Sequence, residues 1–451
     1  MPSELAGLRE RLEAIVGVEV SAEPAALAPF AVDGVVPAMV VRPGTQEAVA
    51  AVVGACAAHD AAIIPWGGGT AMGLGNPPRR ADVALRLDRL TRIVEFDAAN
   101  LNVTVEAGMR LADLAAVLRE GGEVLPLDPP AEERATVGGL LAANLSGPSR
   151  LLYGTARDWV LGLRVVLPDG ERIRCGGKVI KNVSGYDMNK LFIGSLGTLG
   201  IITEATFKLL PLPVVRASVV GLFAGLDQAA QVVARVLDSV LLPEAMEFLD
   251  PGAVSLLGRT LGLTGTGFGL AVALAGSPET VERQARDFGA LLRESRARVT
   301  TLSAEESGPA WRAIRNAFEM LPGSPEERVI VKIAVPISQT AALLGAAERL
   351  AERQGLTAAL TAHAGSGGVR ACYAQGPAAG PVEVLGDDLE ALRREAVAAE
   401  GSLVLEAAPP RLKARLDAWG TPGEGFPVMR RLKAEFDPHG LMNPGRFLGG
   451  L

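Results

Sequence analysis

Cysteine and histidine are scarce, with three of each in 451 residues. Cys56, Cys175 and Cys372 lie far apart, and an iron–sulfur cluster takes four thiolates, so this chain alone holds none. The odd, sparse count also excludes a disulfide scaffold and fits a reducing cytoplasm. His59, His363 and His439 are too dispersed for the paired spacing of a helical zinc site. Aromatic residues make up only 4%, which leaves the core to alanine, valine and leucine. There is no apolar run of about 18 residues. The opening MPSELAGLRERLEAIVG alternates charged with apolar residues and reads as an amphipathic helix, neither membrane span nor signal peptide. Charge is not of one sign. The 44 Lys and Arg against 51 Asp and Glu give a net charge of -7, without the basic patch of a nucleic-acid-binding protein. These absences describe a cytoplasmic chain, able to reach a membrane only through partners.

What is abundant is glycine (53), with 30 prolines. Up to about residue 213, short apolar strands alternate with glycine-dense turns. Strands are expected at 35–43, 61–65, 101–108 and 201–210, with a hairpin at 159–177 around Pro168-Asp169-Gly170. Helices are expected at 45–60, capped by Thr45, and at 111–122, ended by glycine. Pro211-Leu212-Pro213 marks a boundary. Beyond it strands at 215–223, 244–249, 268–276, 297–303, 329–336, 357–363 and 401–407 alternate with helices at 226–241, 278–295, 305–319, 338–354 and 385–399. That alternation predicts an α+β layer, helices packed on a mostly antiparallel sheet. The divisions are 1–213, 214–410 and a turn-rich tail, 411–451.

Four segments carry chemistry. The first, Pro65-Trp66-Gly67-Gly68-Gly69-Thr70-Ala71, follows a buried strand. Consecutive glycines let successive main-chain N–H groups form a concave nest for an anion such as a diphosphate, although a plain tight turn has the same composition. The second joins Leu127-Asp128-Pro129-Pro130 to Thr136-Val137-Gly138-Gly139 and Asn144-Leu145-Ser146-Gly147, where Thr136 can cap a helix whose end faces an anion. The third is Tyr153-Gly154-Thr155-Ala156-Arg157-Asp158. The fourth runs from Lys181-Asn182-Val183-Ser184-Gly185 to Gly194-Ser195-Leu196-Gly197-Thr198-Leu199-Gly200-Ile201-Ile202. No G-x-G-x-x-G, Walker A or G-x-S-x-G pattern occurs, which excludes the usual Rossmann, P-loop and nucleophile-elbow sites.

In this order and spacing the four segments resemble the flavin-binding domain of the vanillyl-alcohol-oxidase/PCMH flavoprotein family. The tail, Phe436-Asp437-Pro438-His439-Gly440-Leu441-Met442-Asn443-Pro444-Gly445-Arg446, resembles the family's closing segment, and the likeness covers roughly the whole chain. Within the family it is nearest to the glycolate oxidase and D-lactate dehydrogenase group. The resemblance implies a two-lobed PCMH-type FAD-binding domain, an FAD-linked-oxidase cap domain, and a flavin ring between them. It assigns FAD to Trp66, Gly67, Gly68, Gly69, Thr70, Ala71, Pro129, Thr136, Gly138, Gly139, Asn144, Ser146 and Gly147. To these it adds Gly154, Arg157, Asp158, Gly197, Gly200, Ile202 and Asn443. Members that attach FAD covalently use a histidine in the first loop. GGGTAMG has none, so the resemblance implies non-covalent FAD.

The chain departs from the family in its cap. Many D-2-hydroxy-acid dehydrogenases of the family carry His-x-Gly-x-Gly-Asn-x-His, which binds a divalent metal. Here the stretch is His363-Ala364-Gly365-Ser366-Gly367-Gly368-Val369-Arg370, and a single imidazole makes no first-row metal site, so no metal is expected. Arg315, in the Trp311-x-x-x-Arg315 helix, and Lys332 are candidates to hold a carboxylate, and His363 a base, with Arg370 nearby. Each has a plainer alternative: a solvated helix face for Arg312 and Arg315, a snorkelling stem for Lys332, a satisfied structural imidazole for His363. The implied activity is FAD-dependent oxidation of a small 2-hydroxy acid, with electrons passed to an iron–sulfur partner. The alternative is an FAD-carrying accessory subunit docked against a homologous flavoprotein.

Overall fold

The computed structural model describes residues 3–177, 186–324, 327–376 and 382–451. Its contacts separate two units. One comprises Met1–Leu145, Thr155–Leu212 and Asp417–Leu451, the other Ser146–Gly154 and Pro213–Leu416.

The first unit holds two sheets. In the four-stranded sheet the spatial order is Val18–Ser21, Met39–Pro43, Val83–Arg86, Ile63–Trp66. Only the first pairing is antiparallel, because the helix Gln46–Ala58 carries the chain across between parallel strands. Thr45 starts that helix, its hydroxyl accepting from the Ala48 N–H at 3.1 Å, and Val49, Val52, Val53 and Cys56 bury its inner face. The strand expected at 35–43 begins only at Met39. Pro37 lacks an N–H, and Val35 makes just an isolated bridge to Val32.

The five-stranded sheet is antiparallel throughout, in the order Ile93–Asp97, Asn102–Glu106, Ile201–Lys208, Val160–Val166, Arg172–Gly176. Both sheets share one core, in which Val41, Val52, Ile63 and Val83 meet Val166, Ile201 and Met442. Met442 is there because the tail returns. The Ile63 N–H donates to Leu441 O and the Asn443 N–H to Ile63 O, each 2.8 Å, so the tail covers the free edge of strand Ile63–Trp66. The returning chain is held by a buried charge. Lys433 Nζ donates to Asp437 Oδ2 (2.6 Å), Thr198 O (2.8 Å) and Met442 O (3.0 Å), while Asp437 accepts from the Leu441 and Met442 amides.

The second unit is built on one eight-stranded sheet whose pairings are all antiparallel. The order is Arg298–Leu302, Val215–Phe223, Phe268–Gly276, Ala245–Leu249, Thr357–His363, Gly368–Ala374, Val329–Ala334, Ser402–Ala407. This is the α+β architecture anticipated. Two elements escape the periodicity. Strand Gly368–Ala374 opens on a glycine and has its apolar pattern interrupted by Arg370, and the seven-residue helix Pro251–Leu257 is shorter than two turns' worth of pattern requires. The helix expected at 305–319 stops at Arg315 and tightens into a 3-10 turn, Ala317–Met320. Ser146–Gly154 joins this unit through Leu151, which lies beside Gly365 and Met246. Among the described residues no helix is long and apolar enough to cross a membrane.

Replacing Lys433 with Met strands Asp437 in the core. Denaturant unfolding should show the first unit losing about 3–5 kcal/mol, the usual consequence of breaking a buried pair. An unchanged midpoint would show that the tail is anchored elsewhere.

Candidate functional site

In the first unit, residues from both sheets and from the tail line one pocket. Its floor is the turn after strand Ile63–Trp66, and its walls are Ala107, Gly138, Gly139, Ala142, Leu196, Gly197, Ile202, Asn443 and Arg446. The main-chain amides of Gly67 through Ala71 donate to no group of the described residues. A run of unspent N–H groups in a glycine turn is an anion nest. The turn can form only where the chain has no side chain: a Cβ on Gly68 would lie 1.7 Å from the Arg134 carbonyl oxygen. Two further buried atoms of the pocket have no hydrogen-bond partner among the described residues, Asn443 Oδ1 and Arg446 Nε. A nest for a diphosphate, an apolar slot and orphaned polar atoms together fit FAD.

The structure gathers Trp66, Gly67, Gly68, Gly69, Thr70, Ala71, Thr136, Gly138, Gly139, Gly197, Gly200, Ile202 and Asn443 around this pocket. Other expected residues are used differently. Thr136 does cap the helix Val137–Ala143, accepting from Gly139 N at 3.3 Å. That helix end does not face an anion, because its first amides are already spent: Val137 N on Met109 O (2.9 Å), Gly138 N on Ala107 O (2.7 Å) and Gly139 N on the cap. Asp158 closes a capping box with Thr155, and Arg157 donates to the Lys190 and Ile193 carbonyls at 2.8 and 3.2 Å. Asn144 ends the same short helix in the left-handed region, φ 48°. Pro129 is buried in irregular chain and, like Asn144, Arg157 and Asp158, is not among the lining residues. Ser146, Gly147 and Gly154 fall in the second unit, since the segment packs on strand Ala245–Leu249. Lys181–Gly185 lie outside the described residues.

The second unit brings together His363, Lys332 and Arg370. His363 pairs in register with Glu247 and with Gly368, and Lys332 with Arg370, so neighbours of one sheet face meet. His363 Nδ1 forms a short hydrogen bond to Glu247 Oε1, and both residues are buried. Because a carboxylate can only accept, Nδ1 carries the proton and Nε2 is left as the basic nitrogen. Gly368 is required there, since a Cβ on it would stand 2.9 Å from the imidazole Cδ2. Arg370 does not face a ligand freely. Its Nε and Nη2 both donate to Glu406 Oε2, at 2.8 and 2.6 Å, and its guanidinium lies over the Phe318 ring. A one-residue register slip between Ile330 and Val331 leaves Glu406 unpaired in its strand and re-aims it toward Arg370.

The electrostatics of this face are lopsided. Burial would raise the Glu406 carboxyl, but Arg370 and Lys332 outweigh it and hold it below the usual range. Burial lowers Lys332, Glu406 opposes this, and Arg150 and Arg370 depress it further. Arg150, from the Ser146–Gly154 segment, is likewise lowered by burial and raised in part by the charge of Glu247, and its Nη1 donates to Ser146 Oγ at 3.2 Å. Neither Lys332 nor Arg150 makes an ion pair among the described residues, a setting for an anionic ligand. Arg315 ends helix Ala304–Arg315, half-buried, with Trp311 and Ile314 of the same helix in the adjacent core. Glu247, Glu406, Arg150 and Arg446 were not singled out from the sequence. The signals were present: an acid inside each apolar run AMEFL and SLVLEA, and an arginine closing the tail motif.

The pocket assignment is tested by Gly68→Ala. The variant should fold but carry no flavin absorbance, whereas FAD uptake equal to the parent's would remove the turn from the site.

Comparison with known proteins follows from this geometry. The family model described as FAD binding domain matches residues 37–176, and that described as FAD linked oxidases, C-terminal domain, matches residues 212–447. The chain is 31% identical over 416 residues to the glycolate oxidase subunit GlcD of Bacillus subtilis, covering 91% of this chain and 88% of that protein. It is 27% identical over 424 residues to the mitochondrial D-lactate dehydrogenase [cytochrome] of Arabidopsis thaliana, covering 92% and 74%. Among solved structures, p-cresol methylhydroxylase with substrate bound shares the fold at a TM-score of 0.75 and 17% identity, over 99% of this chain and 97% of that one. The chain therefore belongs to the FAD-linked oxidase family, an FAD-dependent oxidoreductase with a PCMH-type fold.

Proposed function

We propose that this protein oxidises a small 2-hydroxy acid of the glycolate or D-lactate type, using non-covalently held FAD, and passes the electrons to an iron–sulfur partner. The observation that carries the reading is the half-buried Lys332 ammonium, which makes no ion pair among the described residues, on the same sheet face as the Glu247–His363 pair. An anionic substrate supplies what Lys332 lacks, and Arg150 adds to the same positive field. Arg315 is a further candidate for the carboxylate.

With the carboxylate held, the substrate hydroxyl is set to give its proton to His363 Nε2, while Glu247 holds Nδ1–H and fixes the tautomer. Bound FAD supplies the acceptor for the hydride leaving the same carbon. Loss of one hydride and one proton converts the 2-hydroxy acid to the 2-oxo acid. The three cysteines are buried and single, so onward electrons go to a second protein rather than to a cluster here. Names of relatives support the substrate class: a glycolate oxidase subunit, and D-lactate and D-2-hydroxyglutarate dehydrogenases.

The Arg370–Glu406 ion pair favours a second reading. Arg370 stands at the second histidine position of the family's metal-binding motif and is paired with Glu406 instead, and a chain without that motif fits an FAD-carrying accessory subunit.

Anaerobic addition of glycolate or D-lactate to the FAD-loaded protein should bleach the flavin. His363→Gln should slow the bleaching by about 10²–10⁴-fold. Lys332→Met should raise the half-saturating substrate concentration about ten- to a hundredfold, with FAD retained in both variants. A protein that stays oxidised with every 2-hydroxy acid would replace catalysis with the accessory role.

A further inference from the structure

Arg446 is only 3% exposed and lines the flavin pocket, yet no hydrogen bond joins it to a carboxylate among the described residues. Its Nη2 donates to the carbonyls of Met72 and Leu74, both at 2.5 Å, directly after the turn whose amides are unspent. Carbonyl oxygens orient a guanidinium without neutralising it. Burial pushes the group down to about 10, opposed in part by the charge of Asp33. Its Nε has no hydrogen-bond partner among the described residues. A buried cation of this kind is costly unless an anion completes it.

Its backbone is held as firmly as its side chain. The Arg446 carbonyl accepts from Asn76 N at 3.0 Å and from Trp419 Nε1 at 2.9 Å, so tail and turn are tied on both sides of the guanidinium. The planar fork is thus presented to the pocket by a rigid frame, the geometry arginine uses for phosphate oxygens.

We infer that Arg446 is the counter-cation of the FAD diphosphate, which its guanidinium meets beside the Gly67–Ala71 amides. The inference rests on FAD being the ligand of this pocket. It makes the returning tail part of the cofactor site itself, in addition to its place along the strand edge. The nest contributes neutral dipoles, and Arg446 contributes the full charge.

The test uses deflavinated full-length protein and three probes: FAD, ADP and riboflavin, titrated by calorimetry. In Arg446→Met, affinity for FAD and for ADP should fall together, about ten- to a hundredfold, while riboflavin binding stays at the parent value. ADP binding in the parent should weaken with salt more steeply than in the variant. Arg446→Gln keeps a donor for the Met72 and Leu74 carbonyls and carries the same comparison should Arg446→Met not fold. Unchanged FAD and ADP affinity, or a riboflavin loss equal to the ADP loss, would overturn the role of Arg446 while leaving the cofactor in place. A parent protein that takes up neither FAD nor ADP would overturn the cofactor assignment and this inference together.

Discussion

A main-chain turn with no room for side chains is the constraint on which the first unit depends. Gly68 sits so close to the Arg134 carbonyl that a methyl group cannot be accommodated, and the amides from Gly67 to Ala71 donate to no group among the described residues. An arrangement of unspent donors is stable only because neighbouring structure dictates it. One sheet delivers the chain into the turn, the other supplies Ala107 and Ile202 as a wall, and the tail closes the pocket with Asn443 and Arg446. The buried Lys433–Asp437 pair matters through this tail. It holds Leu441 and Met442 in register with Ile63, one residue from the pocket.

The second unit solves a different problem, that of placing charges on a sheet face without leaving them all satisfied. Glu247 is committed to His363 and Glu406 to Arg370, each through a short bond. With His363 neutral, Arg370, Lys332 and Arg150 then face two carboxylates, which leaves a single positive charge in excess. Buried ion pairs contribute little net stability, so a face carrying six ionisable groups is poorly explained as a core and well explained as a binding surface. The bulge at Glu406 belongs to the same logic, because without the slip its carboxylate would not be aimed at Arg370.

Much of the fold was legible because strands and helices of the second unit repeat their apolar residues at clear periods and begin at visible caps such as Ser277 and Ser303. Strand Gly368–Ala374 was not, because its pattern is interrupted by the residues that shape the site. The glycine segments were legible as tight turns with close backbone approach, and the family resemblance supplied their reading as a flavin pocket. The partners of His363 and Arg370 were not, since Glu247 lies 116 residues from His363 and Glu406 lies 36 from Arg370.

By itself the amino-acid order determined the glycine-dense segments, the α+β alternation, the absence of a histidine from the first glycine loop, and an arginine at the second histidine position of the cap motif. These are local properties of the chain, and what the loop and the cap motif mean comes from the family resemblance. Tertiary structure decided which donors remain unspent: Gly138 and Gly139 look like anion ligands in sequence but give their amides to Ala107 and Thr136, while Arg446, inconspicuous in the tail, borders the pocket and keeps a buried Nε without a partner among the described residues. Hydrogen-bond satisfaction depends on what a group meets across the fold, and no spacing along the chain encodes that.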